Sequence, residues 1–310
     1  MMKKHIIVSV LFLASLLPVA CNKSSSTTTT KPSLYGLSMN QAPAYVAQNA
    51  VLTFKAEVGG IYTSDGTSPV VGLYWQVGTG QKDTLTLDVS KSNPEYTCKT
   101  DTLGSYTVFC YAFSGTDYYT TSVSSSFRAI DPENVLTDVA AADEITVNGK
   151  TWKTKNQSHD TMGLSFRNSP IMDGIIGRMF SWEEAQTVCP DGWHLPTVAE
   201  FEASFADEDG VINAADLMAD ASFLDQKMWE YFPQMPISNK YGFNALPLGY
   251  IDTLDTFYTY EKYGEYAMWW TADEYEDAGT YLYIYKEYPE VRQYHGDKNS
   301  LAMAVRCVKD

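Results

Sequence analysis

The sequence predicts a multi-domain chain: an all-β sandwich over residues 34–130 followed by an α+β domain over residues 143–310. Three observations predict it. Short runs of β-branched and aromatic residues recur between turn signals in the first half. Capped helical segments occur in the second half. A polar Ser/Thr tract sets both apart from an apolar N-terminal run with the length of an export signal.

The elements follow in order. Lys3 and Lys4 precede an apolar run from Ile6 to Leu17. That run is shorter than the roughly 20 residues a membrane-spanning helix needs, so residues 1–20 read as a signal segment. Leu17-Pro18-Val19-Ala20-Cys21 places small residues before a cysteine and resembles the lipobox of bacterial lipoproteins, with Pro18 where the usual pattern has Leu. The resemblance implies cleavage before Cys21 and lipid on its sulfur. The other reading is an ordinary secretory signal cut near Ala20. Residues 21–33 bury nothing and read as a disordered tether. The expected location is the outer membrane of a cell envelope. Asn22-Lys23 leaves periplasm-facing and surface-exposed placement both open.

Net charge is −16. That argues against nucleic acid as a partner, because phosphate binding needs clustered Lys and Arg. With Cys21 set aside, Cys98, Cys110, Cys189 and Cys307 remain. Four cysteines allow three connectivities. One pair falls in each half, so Cys98–Cys110 and Cys189–Cys307 is the simplest pairing. The second would close a loop of over 100 residues, an effect on the order of 4–5 kcal/mol in the chain-entropy account.

In the first domain the expected strands are 51–58, 71–77, 84–89, 106–113 and 122–130. Gly59-Gly60, Asp65-Gly66, Gly78-Thr79-Gly80, Ser92-Asn93-Pro94 and Gly115-Thr116-Asp117 read as the turns between them. Trp75 sits where a sandwich puts a core tryptophan. Leu103-Gly104-Ser105-Tyr106-Thr107-Val108 resembles the late-strand signature of Ig-like and PKD-like modules. The segment has no His and no catalytic constellation, so it reads as a stalk.

Residues 131–142 read as a linker. Ile145 to Lys153 then reads as a hairpin on Asn148-Gly149. A helix is expected over 180–189 with Ser181 as N-cap. A second starts at Thr197, where Glu200 three residues on completes a capping box. A third helical stretch is expected over 216–229.

At this point the residues resemble a known family. Cys189-Pro190-Asp191-Gly192-Trp193-His194-Leu195-Pro196-Thr197 is similar to the hallmark of the Fibrobacter succinogenes major paralogous domain. Gly149 with Trp152, Phe180-Ser181-Trp182, Tyr241 to Gly249, Trp269 to Glu274 and Val305 to Asp310 resemble its other motifs in the same order. The resemblance covers 143–310. It implies a C-type lectin-like fold in which the Cys189–Cys307 bridge ties the first helix to the last strand. It also implies a long irregular loop region above a small sheet.

Asp207 to Asp216 resembles a calcium loop, with Asp207, Asp209, Asn213 and Asp216 at ligand positions. Phe205 occupies the first ligand position and Asp216 replaces a bidentate Glu, so weak binding or none is expected, and no cofactor. His194 reads as a buried imidazole bonded to backbone. Residues 241–294 are crowded with aromatics. Tyr258, Tyr260, Tyr263, Tyr266, Trp269 and Trp270, with Asp273 and Glu274, are the candidate ligand contacts. Tyr and Trp offer large contact area with a polar tip. The Trp pair also suits core packing. Tyr281, Tyr283 and Tyr285 alternate and define one aromatic strand face, as core or as contact surface. The expectation is a non-enzymatic envelope lipoprotein that recognises a glycan or protein. The alternatives are a hydrolase built on Asp273, Glu274 and Glu276, and a purely structural assembly component.

Overall fold

The structure, a computed structural model, describes residues 33–62, 71–78, 82–87, 94–114, 117–229, 236–254 and 260–310. The signal segment 1–20, Cys21, the tether up to residue 32, and Tyr258 lie outside them. Among the described residues no helix is long and apolar enough to cross a membrane.

The first unit is built from β1 Ser33–Met39, β2 Tyr45–Ala47, β3 Val51–Tyr62, β4 Val71–Val77, β5 Lys82–Leu87, β6 Glu95–Lys99, β7 Gly104–Ser114 and β8 Asp117–Ile130. One sheet has the order β1-β3-β6 and the other β2-β8-β7-β4-β5, with β2 parallel to β8. Alternation dictates the core. Val108, Cys110 and Ala112 of β7 point inward, meeting Leu73 and Trp75 of β4 and Phe54 and Ala56 of β3. Gly59-Gly60 is no turn: β3 runs through it because β1 pairs there, Tyr35 opposite Gly60.

The expected Cys98–Cys110 bridge is corrected. Cys98 lies on β6 and Cys110 on β7, in different sheets, and both are free, buried thiols. Burial pushes the Cys98 thiol up and the Cys110 thiol up to about 12. Each behaves as a small hydrophobe. A thiol held protonated is not the thiolate that disulfide exchange requires.

The second unit contains β9 Leu136–Thr137, β10 Glu144–Val147, β11 Lys150–Lys153, β12 Leu164–Ser165, α1 Asp173–Ile176, β13 Arg178–Met179, α2 Trp182–Ala185, β14 Trp193–His194, α3 Val198–Phe205 and α4 Ala214–Leu217. It continues with β15 Ser222–Phe223, β16 Gln226–Lys227, β17 Tyr250–Asp252, β18 Tyr260–Glu261, β19 Tyr266–Tyr275, β20 Ala278–Tyr285, β21 Arg292–Asp297, β22 Leu301–Ala302 and β23 Val308–Lys309. The β10-β11 hairpin turns on Asn148 (φ 48°) and Gly149 (φ 84°), left-handed positions these residues tolerate. β23 pairs with both β11 and β14, so the start and end of the unit share one sheet. The Cys189–Cys307 bridge fastens the same end.

Both predicted caps are present. Ser181 with Glu184 and Thr197 with Glu200 each form a capping box. The first helix is shorter than expected, ending at Ala185. The third is corrected more deeply. It ends at Leu217, and 222–227 is a hairpin through Leu224 and Asp225, both at positive φ. Tertiary pairing overrides local propensity here. Ala219 N–H donates to the Ala245 carbonyl at 3.1 Å, and Ala245 N–H donates to the Leu217 carbonyl at 2.9 Å.

Residues 131–142 are not a linker. Val135 is buried, and β9 pairs with β15. The two units meet at Tyr45 of β2. Its ring packs on Phe166 and Phe223 at 6.3 and 5.3 Å, and its N–H donates to Ser169 Oγ at 2.9 Å.

Candidate functional site

One face of the β19-β20-β21 sheet lies on the main core; the other, which also carries buried Met268 and Trp270, packs on a second cluster and leaves its tyrosines partly exposed. On β20 the period of two sends Leu282 and Ile284 into the main core, while Tyr281, Tyr283 and Tyr285 stay half-buried on the other side. Register sets their neighbours. Tyr281 lies opposite Trp270 and Tyr294, Tyr283 opposite Met268 and Arg292, and Tyr285 opposite Tyr266.

The rings form a continuous strip. Tyr285 stacks on Tyr266 at 4.6 Å and meets Tyr288 at 4.9 Å. Tyr266 lies 5.9 Å from Tyr283, and Tyr281 lies 6.1 Å from both Tyr283 and Tyr294. Tyr294 is 62% exposed and Tyr275, stacked on His295 at 4.4 Å, is 55% exposed. The Arg292 guanidinium covers Tyr288 at 3.8 Å while its Nε donates to Glu290 at 3.1 Å. Gly296 leaves room for the strip: a Cβ there would stand 3.2 Å from the Tyr281 ring.

Burial keeps Tyr281 and Tyr266 neutral. Burial, then the neighbouring Tyr283 and Tyr294, push Tyr281 up to about 12. Burial and the adjoining tyrosines raise Tyr266 as well. These hydroxyls stay protonated at physiological pH, so they donate and accept hydrogen bonds. The arrangement offers ring faces and edges with polar tips, the chemistry of contact.

The predicted contacts divide. Tyr266 belongs to the strip. Tyr260 contributes β18 backbone paired with Ile251. Tyr263 turns inward, 5.4 Å from Phe166, and burial raises its hydroxyl. Trp269 and Trp270 are corrected to core residues, 1% and 0% exposed. Their indole N–H groups donate inward, to Asn156 Oδ1 at 3.0 Å and to the Phe180 carbonyl at 2.9 Å.

The carboxylates have other partners. Asp273 Oδ2 accepts from the Val198 N–H at 2.7 Å, at the start of α3. Glu274 pairs with Lys298 at 3.0 Å. In the calcium-like loop, Asp207 Oδ1 accepts from the Asp209 and Val211 N–H groups at 3.0 and 2.9 Å. Asn213 caps α4, and Asp216 accepts from Ser238 Oγ at 2.8 Å. The loop is an Asx turn followed by an N-cap.

His194 also departs from expectation, bonding carboxylates and not backbone. Nδ1 lies 2.6 Å from Asp310 Oδ1 and Nε2 lies 3.1 Å from Glu200 Oε1, which Lys150 also contacts at 2.7 Å. Burial pulls the imidazole down, but those hydrogen bonds outweigh it and hold its pKa above the ordinary value. Burial raises Glu200, yet Lys150, Thr197 and His194 bring it down to about 2.

Sequence reasoning singled out the alternation of Tyr281, Tyr283 and Tyr285 but left its face undecided. It counted Tyr288 and Tyr294 only within the aromatic crowding of 241–294 and gave no role to Arg292. The signal for Tyr294 lay in pairing across β20 and β21, which a single sequence does not display.

Comparison with known proteins adds a family. Residues 128–309 match the profile of the Fibrobacter succinogenes major domain. No curated protein matches the chain. Among solved structures, the Yersinia pseudotuberculosis adhesin InvE aligns over 89% of this chain and 70% of its own at 12% identity. Its TM-score of 0.27 carries no argument about fold or function.

Proposed function

This chain belongs to the Fibrobacter succinogenes major domain family, and we propose that it is a non-enzymatic envelope lipoprotein that recognises a glycan or protein through the tyrosine strip. One observation carries the reading: a row of partly exposed tyrosine rings in mutual contact runs across one face of the β19-β20-β21 sheet. Aromatic residues with polar tips are enriched where proteins bind.

The rest of the chain fits such a presenter. Lipid on Cys21 and the Ser/Thr tether would hold the N-terminus at a membrane. The first unit reads as an Ig-like stalk. In support, β2 runs parallel to the last strand β8, Trp75 is buried, and the Tyr106 hydroxyl donates to the Thr102 carbonyl at 2.9 Å. That last contact resembles the tyrosine corner of such sandwiches. The second unit reads as C-type lectin-like. Its first and last strands share a sheet, a disulfide fastens that sheet, and two capped helices flank it.

The test is binding of the full chain to a glycan array and to purified envelope proteins, with and without Tyr283→Ser plus Tyr294→Ser. The reading expects a ligand whose affinity falls at least about tenfold in the double variant, the effect of losing contact hot spots. A ligand bound equally by the folded double variant would place the site elsewhere and sink this assignment. For the anchor, mass spectrometry of the mature protein should find diacylglycerol on Cys21. A free Cys21 thiol would leave a secreted protein.

A further inference from the structure

Arg306 is 1% exposed, and its hydrogen-bond partners are all neutral. Nη1 donates to the Phe243 carbonyl and, at 3.2 Å, to the Lys153 carbonyl; Nη2 donates to Asn156 Oδ1 at 2.8 Å. The Phe243 ring faces the guanidinium at 4.3 Å. No carboxylate is among these partners, and the buried Nε–H has no acceptor. Burial brings the group down to about 9, so it stays charged at neutral pH. An isolated buried charge is costly unless an opposite charge or a full set of dipoles meets it.

A cavity of about 30 Å³ adjoins this group. Arg306 and Lys155 line it together with Thr154, Asn156 and apolar Ile175 and Leu246, and no Asp or Glu is among its lining residues. On its wall Asn156 Nδ2 donates to the Ile176 carbonyl at 3.2 Å, and Asn244 Nδ2 to the Ala140 carbonyl at 2.9 Å. Among the described residues, the Arg306 Nε–H is the buried side-chain donor of this lining without an acceptor. A water needs roughly 10–15 Å³ on the same measure, so the space suits a guest the size of a water or a single ion.

We propose that this cavity binds one monatomic anion of the halide class, held by the unpaired Nε–H of Arg306. A water would satisfy the donor and leave the charge uncompensated. A halide does both, and the apolar wall suits a weakly hydrated ion. This site is independent of the tyrosine strip.

The test uses the full chain. Thermal unfolding in sodium chloride or bromide is compared with sodium gluconate at equal ionic strength. The expected result is a saturable rise of about 2–4 °C in either halide, from linkage of binding to folding. Crystals grown in bromide should show an anomalous peak within hydrogen-bonding distance of Arg306 Nε. Ala140→Val, on the cavity wall, should fold and lose the halide response. Identical unfolding in all three salts, an ordered water without bromide signal, or an undiminished halide response in Ala140→Val would each overturn the proposal.

Discussion

The two faces of the β20 strand differ in a single respect, which is what covers them. Leu282 and Ile284 lie under Trp269 and the main core, while Tyr281 and Tyr283 rest on the second cluster around Trp270 and Met303 and, with Tyr285, stay partly exposed. The same backbone thus supports a sealed side and an unsealed one. A sealed face holds the fold together. A row of large rings left half in water on a rigid sheet is costly to maintain unless something else covers it. Stability rests on the first side, and the proposed contact surface lies on the second.

The largest effect should come from the sealed side. Trp269→Ala removes a buried indole that packs 5.5 Å from Phe243 and donates to Asn156. A loss of about 3–5 kcal/mol is expected in denaturant unfolding. A loss below about 1 kcal/mol would mean the face is not the core it looks to be.

The disulfide comes next. Replacing Cys189 and Cys307 with Ala should lower stability by about 2–5 kcal/mol. Reductant should reproduce this in the wild type, while Cys98→Ala should leave the response to reductant unchanged because Cys98 is already a thiol. An unaltered reductant response in the Cys189/Cys307 variant would contradict the single bridge.

On the open side the order of effects reverses. Tyr294→Ser should change stability by no more than about 0.5 kcal/mol, as exposed positions do, while weakening ligand binding. Equal losses in both measurements would erase the distinction between the faces.

The smallest expected effect is electrostatic. The His194 pKa is raised in the folded state, so its stabilising contribution is complete below the ordinary value of 6.5 and disappears as pH climbs through the raised value. Glu200 is lowered to about 2, so its contribution is present above 4.5 and lost as pH falls toward 2. The network therefore holds β23 and the C-terminus best between those limits. His194→Gln should flatten the decline in unfolding midpoint as pH rises above 6.5. Parallel slopes in variant and wild type would remove His194 from the account.

Much of this architecture was legible because short-range rules governed it. Ser181 and Thr197 cap helices as their Glu partners dictate, and Asn148-Gly149 turns a hairpin. The strands at Val71–Val77 and Gly104–Ser114 follow from β-branched and aromatic runs between turn signals. The failures share a cause in long-range pairing. Residues 216–229 have helical composition, yet bonds to Ala245 and pairing with β9 take them out of the helix. Val135 and Leu136 looked like a linker because their partners lie almost ninety positions away. At the site, the Trp269-Trp270 pair and the Tyr281 alternation were both visible as aromatic. Which of them faced inward depended on register with β21 and on Met303 and Val305 beneath.

The decisive measurement is calorimetric affinity of the full chain for any glycan or protein found to bind it, before and after Tyr283→Ser with Tyr294→Ser. The account predicts at least about tenfold weaker binding with far-ultraviolet circular dichroism unchanged. Unchanged affinity in the folded double variant would contradict it.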